Sequence, residues 1–342
     1  MSSRLFAAFA TCAFLAGCAT SASGPAQIAS ETFMIPASEA GIQLHVRNKH
    51  PAGQDRYAPE KIVLMVHGAT YPSESFFDID LPGGSWMDYI ARRGYDVYIL
   101  DVRGYGRSTR PAAMDQPPDA NPPFADTQDA IRDVAAAVDF ILQRRGAAKV
   151  NLIGWSWGTS IMGGYTAQNN AKVNRLVLYA PLWVLREPPP FSGSGAYRTA
   201  SKAQTYGRQV RSIPKDRVKE IVPPEYFDKW WEATVATDPA GASRTPPVVR
   251  APNGVLKDVV QRLSKGDGMW DPAQVRVPTF LILAEWDADT PPFMAQEVFS
   301  RLVNAPHRRL VILPEGTHAI ALEKNRMVLI DQVQQFLEEA SR

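Results

Sequence analysis

The sequence predicts an α/β fold: a mostly parallel, twisted sheet with helices on both faces and an inserted helical cap. Three observations carry this. Short apolar runs alternate with stretches of helical spacing, the pattern of strands joined by crossover helices. The alternation stops between about residues 182 and 277 and then resumes. At the junction of one strand run with one helix run stands a serine between glycines, Gly154-Trp-Ser-Trp-Gly158.

Taken in order, Thr32–Ile35 and Ile42–Arg47 read as an N-terminal antiparallel pair turning at Ala40-Gly41. Lys61–Val66 is a continuous apolar run, as expected of a strand buried on both faces, and it ends in His67-Gly68-Ala69-Thr70. Helical spacing over Trp86–Arg93 stops at Gly94, and Tyr95–Leu100 is the next strand, leading into Asp101–Ser108. After a Pro-rich loop, Thr127–Arg145 is the clearest amphipathic helix, with Ile131, Val134, Val138, Ile141 and Leu142 on one stripe. Lys149–Ile153 is the strand before the serine, a helix follows to about Asn169, and Arg175–Tyr179 is another strand.

The break from 182 to 277 carries three proline pairs or runs and one dense aromatic helix candidate over 224–237, with Tyr226, Phe227, Trp230 and Trp231. It is too long for a connecting loop, and its aromatics argue against disorder. It reads as a mostly helical cap inserted into a core formed by 31–181 and 278–342. Thr279–Leu283, a helix near Pro292–Leu302, the strand Arg309–Leu313 and a last helix over about 322–340 complete that core.

The chain's 342 residues allow a sizeable core, and a net charge of +2 implies neither a nucleic-acid nor a polyanionic partner. No cofactor motif and no metal-ligand cluster stands out in the sequence. At the N-terminus, Arg4 precedes the apolar stretch Leu5–Leu15, and Leu15-Ala16-Gly17-Cys18 follows. That tetrapeptide resembles the lipobox of bacterial lipoproteins. The resemblance implies a signal peptide over 1–17, an acylated Cys18 held in the lipid bilayer, and a flexible Ala/Ser/Gly tether to Ser30. Ala19 fits sorting to the outer membrane, which places the folded domain on the periplasmic side or the cell surface. Cys12 leaves with the signal and no third cysteine exists, so disulfides are excluded.

A serine hydroxyl is a poor nucleophile unless a base takes its proton and a third group orients that base. A tight strand-to-helix turn, with glycines allowing close backbone approach, is how such a serine is presented. Of the five histidines, His318 lies just past the C-terminal end of the last strand, the edge that also carries Ser156. Between serine and histidine, the loop after Thr279–Leu283 offers three acids, Glu285, Asp287 and Asp289, which also suit turn hydrogen bonding or helix capping.

These motifs together resemble the α/β-hydrolase superfamily over nearly all of residues 31–340. They are His67-Gly68, Asp101-x-x-Gly-x-Gly-x-Ser108, Gly154-x-Ser156-x-Gly158, Ala284-x-x-Asp287 with Pro291, and Gly316-x-His318. The resemblance implies Ser156 as nucleophile, His318 as base and Asp287 as acid. Asp289 stays open as the alternative acid, because Ala284 stands where the family usually has glycine. It also implies an oxyanion hole from the backbone N–H groups of Trp157 and Ala69, with Thr70 in reserve, and a loop-shaping role for His67. Serine at the elbow, where dehalogenases and epoxide hydrolases of this fold carry aspartate, implies an acyl-enzyme.

The expected activity is that of a carboxylesterase-like serine hydrolase, without cofactor, for an ester, lactone or small amide. Trp155 and Trp157, and Trp230 and Trp231 of the cap, are candidates for a substrate pocket, and core packing would explain them equally well. The elbow is somewhat similar to that of proline iminopeptidases, so a proline-type aminopeptidase is one alternative, although the 198–219 run of the cap is basic rather than acidic. Perhydrolase or C–C hydrolase chemistry would share the triad. From a different class, a non-catalytic binding lipoprotein could use the same fold.

Overall fold

The computed structural model describes residues 27–340. Ten strands appear in chain order: β1 (Ile28–Pro36), β2 (Gln43–Pro51), β3 (Ile62–Val66), β4 (Asp96–Leu100), β5 (Val150–Trp155), β6 (Val173–Tyr179), β7 (Tyr197–Ser201), β8 (Val248–Pro252), β9 (Thr279–Ala284) and β10 (Arg308–Leu313). Eight of them form one sheet in the order β1-β2-β4-β3-β5-β6-β9-β10. From β4 to β10 every neighbouring pair is parallel, while β2 runs antiparallel to both β1 and β4. The serine strand β5 therefore lies inside the sheet, covered on both sides by other strands.

Both faces are packed. Ile62, Leu64 and Val66 of β3 enter one apolar cluster with the Thr127–Arg145 helix, and Val63 and Met65 enter another with the Trp86–Ala91 and Arg326–Glu338 helices. The alternation follows from the strand's period of two, and it explains why the run had to be apolar throughout. The Thr127–Arg145 helix has the expected bounds because both ends are written locally. Asp126 accepts from the backbone N–H of Gln128 and Asp129, and Gly146 closes the other end at φ 60°.

Two differences from the sequence expectation concern pairing. β1 begins at Ile28, inside the stretch read as tether, because Ile28 pairs with Pro51 of β2. The inserted segment is helical over Lys202–Val210, Val218–Ile221, Pro224–Val235, Pro239–Ala242 and Gly254–Gln261, but it also contains an antiparallel ribbon, β7 with β8. Each ribbon strand has five residues and its partner is far away in sequence, so no local pattern reveals it. The ribbon is braced by a buried pair: Arg250 donates to Asp238 through its backbone N–H (2.9 Å) and through Nη2 (2.7 Å).

The signal segment and Cys18 lie outside the described residues. Among the described residues, no helix is long and apolar enough to cross a membrane, and no group of acidic, His or Cys side chains is suited to a metal ion.

Candidate active site

Parallel strands deliver their following loops to one edge, and here β3, β5, β9 and β10 deliver the candidate residues. Ser156 follows β5 at φ 55° and ψ −119°, a positive φ that non-glycine residues seldom adopt. The turn is as tight as the motif requires. A Cβ on Gly154 would stand 2.3 Å from the carbonyl oxygen of Gly158, and one on Gly158 2.6 Å from that of His67. Ser156 N–H donates to the Tyr179 carbonyl at 2.9 Å, which anchors the strained residue to β6. The serine is 8% exposed.

His318 follows β10. Its Nδ1 lies 2.9 Å and 3.1 Å from the two carboxylate oxygens of Asp287, which follows β9. Asp287 is itself held by the backbone N–H groups of Asp289 (2.9 Å) and Thr290 (2.8 Å) and by the Thr290 hydroxyl (2.8 Å). Burial opposes protonation of His318, but the adjoining Asp287 carboxylate outweighs it and raises the imidazole pKa above its usual 6.5. The His318 carbonyl accepts from Trp155 Nε1 (3.0 Å) and from the Tyr179 hydroxyl (2.9 Å), so side chains of β5 and β6 hold the histidine loop. No hydrogen bond joins Ser156 Oγ to His318 among the described residues.

The other acids are engaged elsewhere. Asp289 accepts from Arg208 Nε at 2.9 Å and from Arg211 Nη2 at 2.5 Å, and despite burial these arginines pull its pKa down to about 2. Glu285 accepts from the backbone N–H of Glu315 at 2.7 Å, a loop contact.

The loop after β3 is held from behind. His67 is fully buried, accepts from Val102 N–H at Nε2 (3.2 Å), and therefore donates from Nδ1 to the Gly68 carbonyl (2.6 Å). Burial lowers its pKa, so it stays neutral in this one tautomer. Asp101 accepts from the backbone of Ser73 (2.8 Å) and Arg107 (3.1 Å), and Gly106 has no Cβ because one would sit 2.0 Å from that carboxylate. The Asp101–Ser108 motif thus builds the wall behind this loop. Neither Ala69 N–H nor Trp157 N–H has a protein acceptor among the described residues, the latter because it opens the helix Trp157–Gln168.

A narrow cavity of about 30 Å³ reaches this edge, lined by Ala69, Tyr71, Trp155, Thr205, Arg208, Gln209, Trp230, Asp289, Thr317, His318 and Ala319. Trp155 and Trp230 are thus at the cavity. The Trp157 side chain is not: it turns to the opposite face of the sheet, fully buried, with Nε1 donating to Thr127 Oγ1 at 2.9 Å. Trp231 is not a lining residue either and packs in the apolar cluster beneath the inserted segment. Trp155 is the last residue of β5 and Trp157 the first of the following helix, and the left-handed turn at Ser156 between them breaks the strand's period of two, so the two indoles end on opposite faces.

Sequence reasoning missed Thr290, Arg208 and Gln209. Thr290 was findable, since an aspartate followed three residues later by threonine is a turn in which the hydroxyl and N–H return to the carboxylate. Arg208 and Gln209 reach the cavity only through tertiary packing.

The model of the α/β hydrolase fold family matches residues 61–213. Mouse (Mus musculus) lipase member M is 33% identical over 137 residues, 39% of this chain and 31% of that protein. Human (Homo sapiens) lysosomal acid lipase/cholesteryl ester hydrolase is 26% identical over 213 residues, 61% of this chain and 51% of that protein. The chain thus spans about a third to a half of the length of these curated relatives. Among solved structures, a thermophilic esterase from Thermogutta terrifontis superposes with a TM-score of 0.57 at 16% identity, covering 90% of this chain and 98% of that one. A serine hydrolase from Cycloclasticus zankles gives 0.56 at 15% identity, over 91% and 98%. These likenesses show the α/β-hydrolase fold.

Proposed function

We propose that this protein is a serine hydrolase that cleaves a carboxylic ester, lactone or small amide through an acyl-enzyme. The observation that carries the reading is the placement of Ser156, on a strained turn, at the same sheet edge as the hydrogen-bonded pair His318–Asp287. Ser156 Oγ attacks the substrate carbonyl while His318 Nε2 takes its proton, through a hydrogen bond that forms when substrate occupies the site. Asp287 keeps the other ring nitrogen protonated and stabilises the imidazolium that forms. The N–H groups of Trp157 and Ala69 receive the negative oxygen, a donor pair worth roughly 3 kcal/mol each in comparable sites. Collapse breaks the bond to the leaving alcohol or amine, which takes the proton from His318. Water, deprotonated by the same imidazole, then attacks the acyl carbon and releases the acid and Ser156.

The cavity bears on the alternatives. Its one carboxylate lining residue, Asp289, already pairs with Arg208 and Arg211, which leaves no free acidic group there for the amine of an aminopeptidase substrate. An ester or lactone fits these walls better. In the same reading, Cys18 carries the acyl anchor, and a Cys18→Ser chain is expected to move from the detergent phase to the aqueous phase on Triton X-114 partition.

The test is Ser156→Ala against a panel of p-nitrophenyl esters, lactones and aminoacyl arylamides, with a fluorophosphonate probe beside it. Loss of ester turnover and of labelling is expected. Wild-type labelling of the variant would sink the assignment.

A further inference from the structure

One cation near this edge has no use in the mechanism above. Arg198, on β7 of the inserted ribbon, donates from Nη2 to the Thr70 hydroxyl at 2.7 Å, and from Nη1 to the Pro252 carbonyl at 2.5 Å and Asn253 Oδ1 at 3.3 Å. No carboxylate pairs with it among the described residues. Burial lowers its pKa, the cost expected of a desolvated guanidinium held by neutral acceptors alone.

Its partner is equally unusual. Thr70 sits at φ 86°, in the left-handed region, where a β-branched side chain is disfavoured. It directly follows Ala69, the proposed oxyanion donor. The loop presses on the nucleophile: a Cβ on Gly68 would lie 2.7 Å from Ser156 Cβ. A backbone in a disfavoured conformation, one residue from a donor whose aim must be accurate, requires an outside hold. Within the loop itself the Thr70 hydroxyl has no other fixed partner, and the guanidinium supplies one from a different part of the chain.

We infer that Arg198 is a positioning residue for the oxyanion hole, locking Thr70 so that the Ala69 N–H faces the carbonyl oxygen on Ser156. The inserted ribbon thereby helps to build the catalytic loop, while the insert's helices, through Thr205, Arg208, Gln209 and Trp230, line the cavity. Pro252 and Asn253, at the end of β8, complete the clamp, and Asn253 is tied in turn to the Ser194 carbonyl at 2.8 Å. The inference rests on the serine-hydrolase reading.

The experiment measures kcat, KM and inhibition by a trifluoromethyl ketone for wild type, Arg198→Met, Arg198→Lys, Thr70→Val and the double variant Arg198→Met/Thr70→Val. Thr70→Val keeps the branched shape and removes only the hydroxyl, so it carries the test even where Arg198→Met folds poorly. Either single change is expected to lower kcat about 10- to 100-fold, part of the effect of deleting one oxyanion donor. KM should stay within about threefold, inhibitor binding should weaken in step with kcat, and the double variant should be no worse than the poorer single. Arg198→Lys should recover only part of the loss, because an ammonium cannot span Thr70 and Pro252 as the planar fork does. Multiplied losses in the double variant, a change in KM alone, or an unchanged kcat with only a lower melting temperature would each overturn the assignment. Where wild type labels at Ser156 and Thr70→Val keeps full kcat, Arg198 alone is misassigned. Where wild type neither labels nor turns over, the serine-hydrolase reading falls, and this one with it.

Discussion

The indole N–H of Trp155 donates to the carbonyl oxygen of His318 at 3.0 Å, so the residue before the elbow serine holds the histidine loop. The same indole stacks on Phe76, with ring centroids 3.6 Å apart. Trp155→Phe should keep the stacking and lose the bond. The expected result is a fall in kcat of about fivefold, the equivalent of about 1 kcal/mol, with little change in melting temperature. Steady-state kinetics on p-nitrophenyl butyrate would measure it, and an unaltered kcat would show that Tyr179 alone holds the carbonyl.

Two aspartates two residues apart have different partners, and substitution should separate them. Asp287→Asn removes the carboxylate charge and puts an amide NH2 in place of one oxygen facing His318 Nδ1, which favours the wrong tautomer, and should lower kcat by on the order of 10⁴-fold. Asp289→Asn loosens the contacts to Arg208 and Arg211 and should act mainly on KM and stability. Collapse of kcat in the second variant alone would reverse the two roles.

The pH profile follows from the raised pKa of His318. The imidazole must be neutral to take the serine proton, so kcat/KM should rise with pH through a midpoint above 6.5. Without the Asp287 carboxylate, the strongest influence opposing burial is lost. In Asp287→Asn, the residual activity should therefore show a midpoint moved to lower pH. An acid limb that stays in place would exclude His318 as the titrating base.

Glu323 makes a separate prediction about stability. This fully buried carboxyl accepts from Thr317 N–H (3.0 Å) and from Gln209 Nε2 (3.4 Å), and burial raises its pKa from 4.5 to about 7. The folded state then binds its proton more tightly than the unfolded chain does. Stability should fall as pH rises between about 4.5 and 7, by on the order of 3 kcal/mol, and level off above. Glu323→Gln should flatten that slope in urea titrations at pH 5 and pH 8, and an unchanged slope would place the ionisation elsewhere.

Much of this was legible because it is written locally. Buried parallel strands need apolar runs, so β3, β4, β5 and β9 announced themselves. A capped helix such as Thr127–Arg145 carries both of its ends in its own residues. Gly154, Gly158 and Gly106 mark places where a Cβ would collide with backbone or carboxylate, a steric demand visible in the spacing itself. The β7–β8 ribbon was not legible, since each of its strands is completed by residues far along the chain.

The sequence by itself determined the order of strands and helices, the elbow around Ser156, and a short set of acids and histidines able to serve it. The tertiary structure alone decided which acid meets His318, which tryptophans face the cavity, and that Arg198 of the insert reaches Thr70. The division has one physical cause. Periodicity, capping and steric exclusion act over a few residues, whereas a hydrogen bond such as that from Trp155 to His318, or a cavity wall, depends on how distant loops gather at one edge of the sheet.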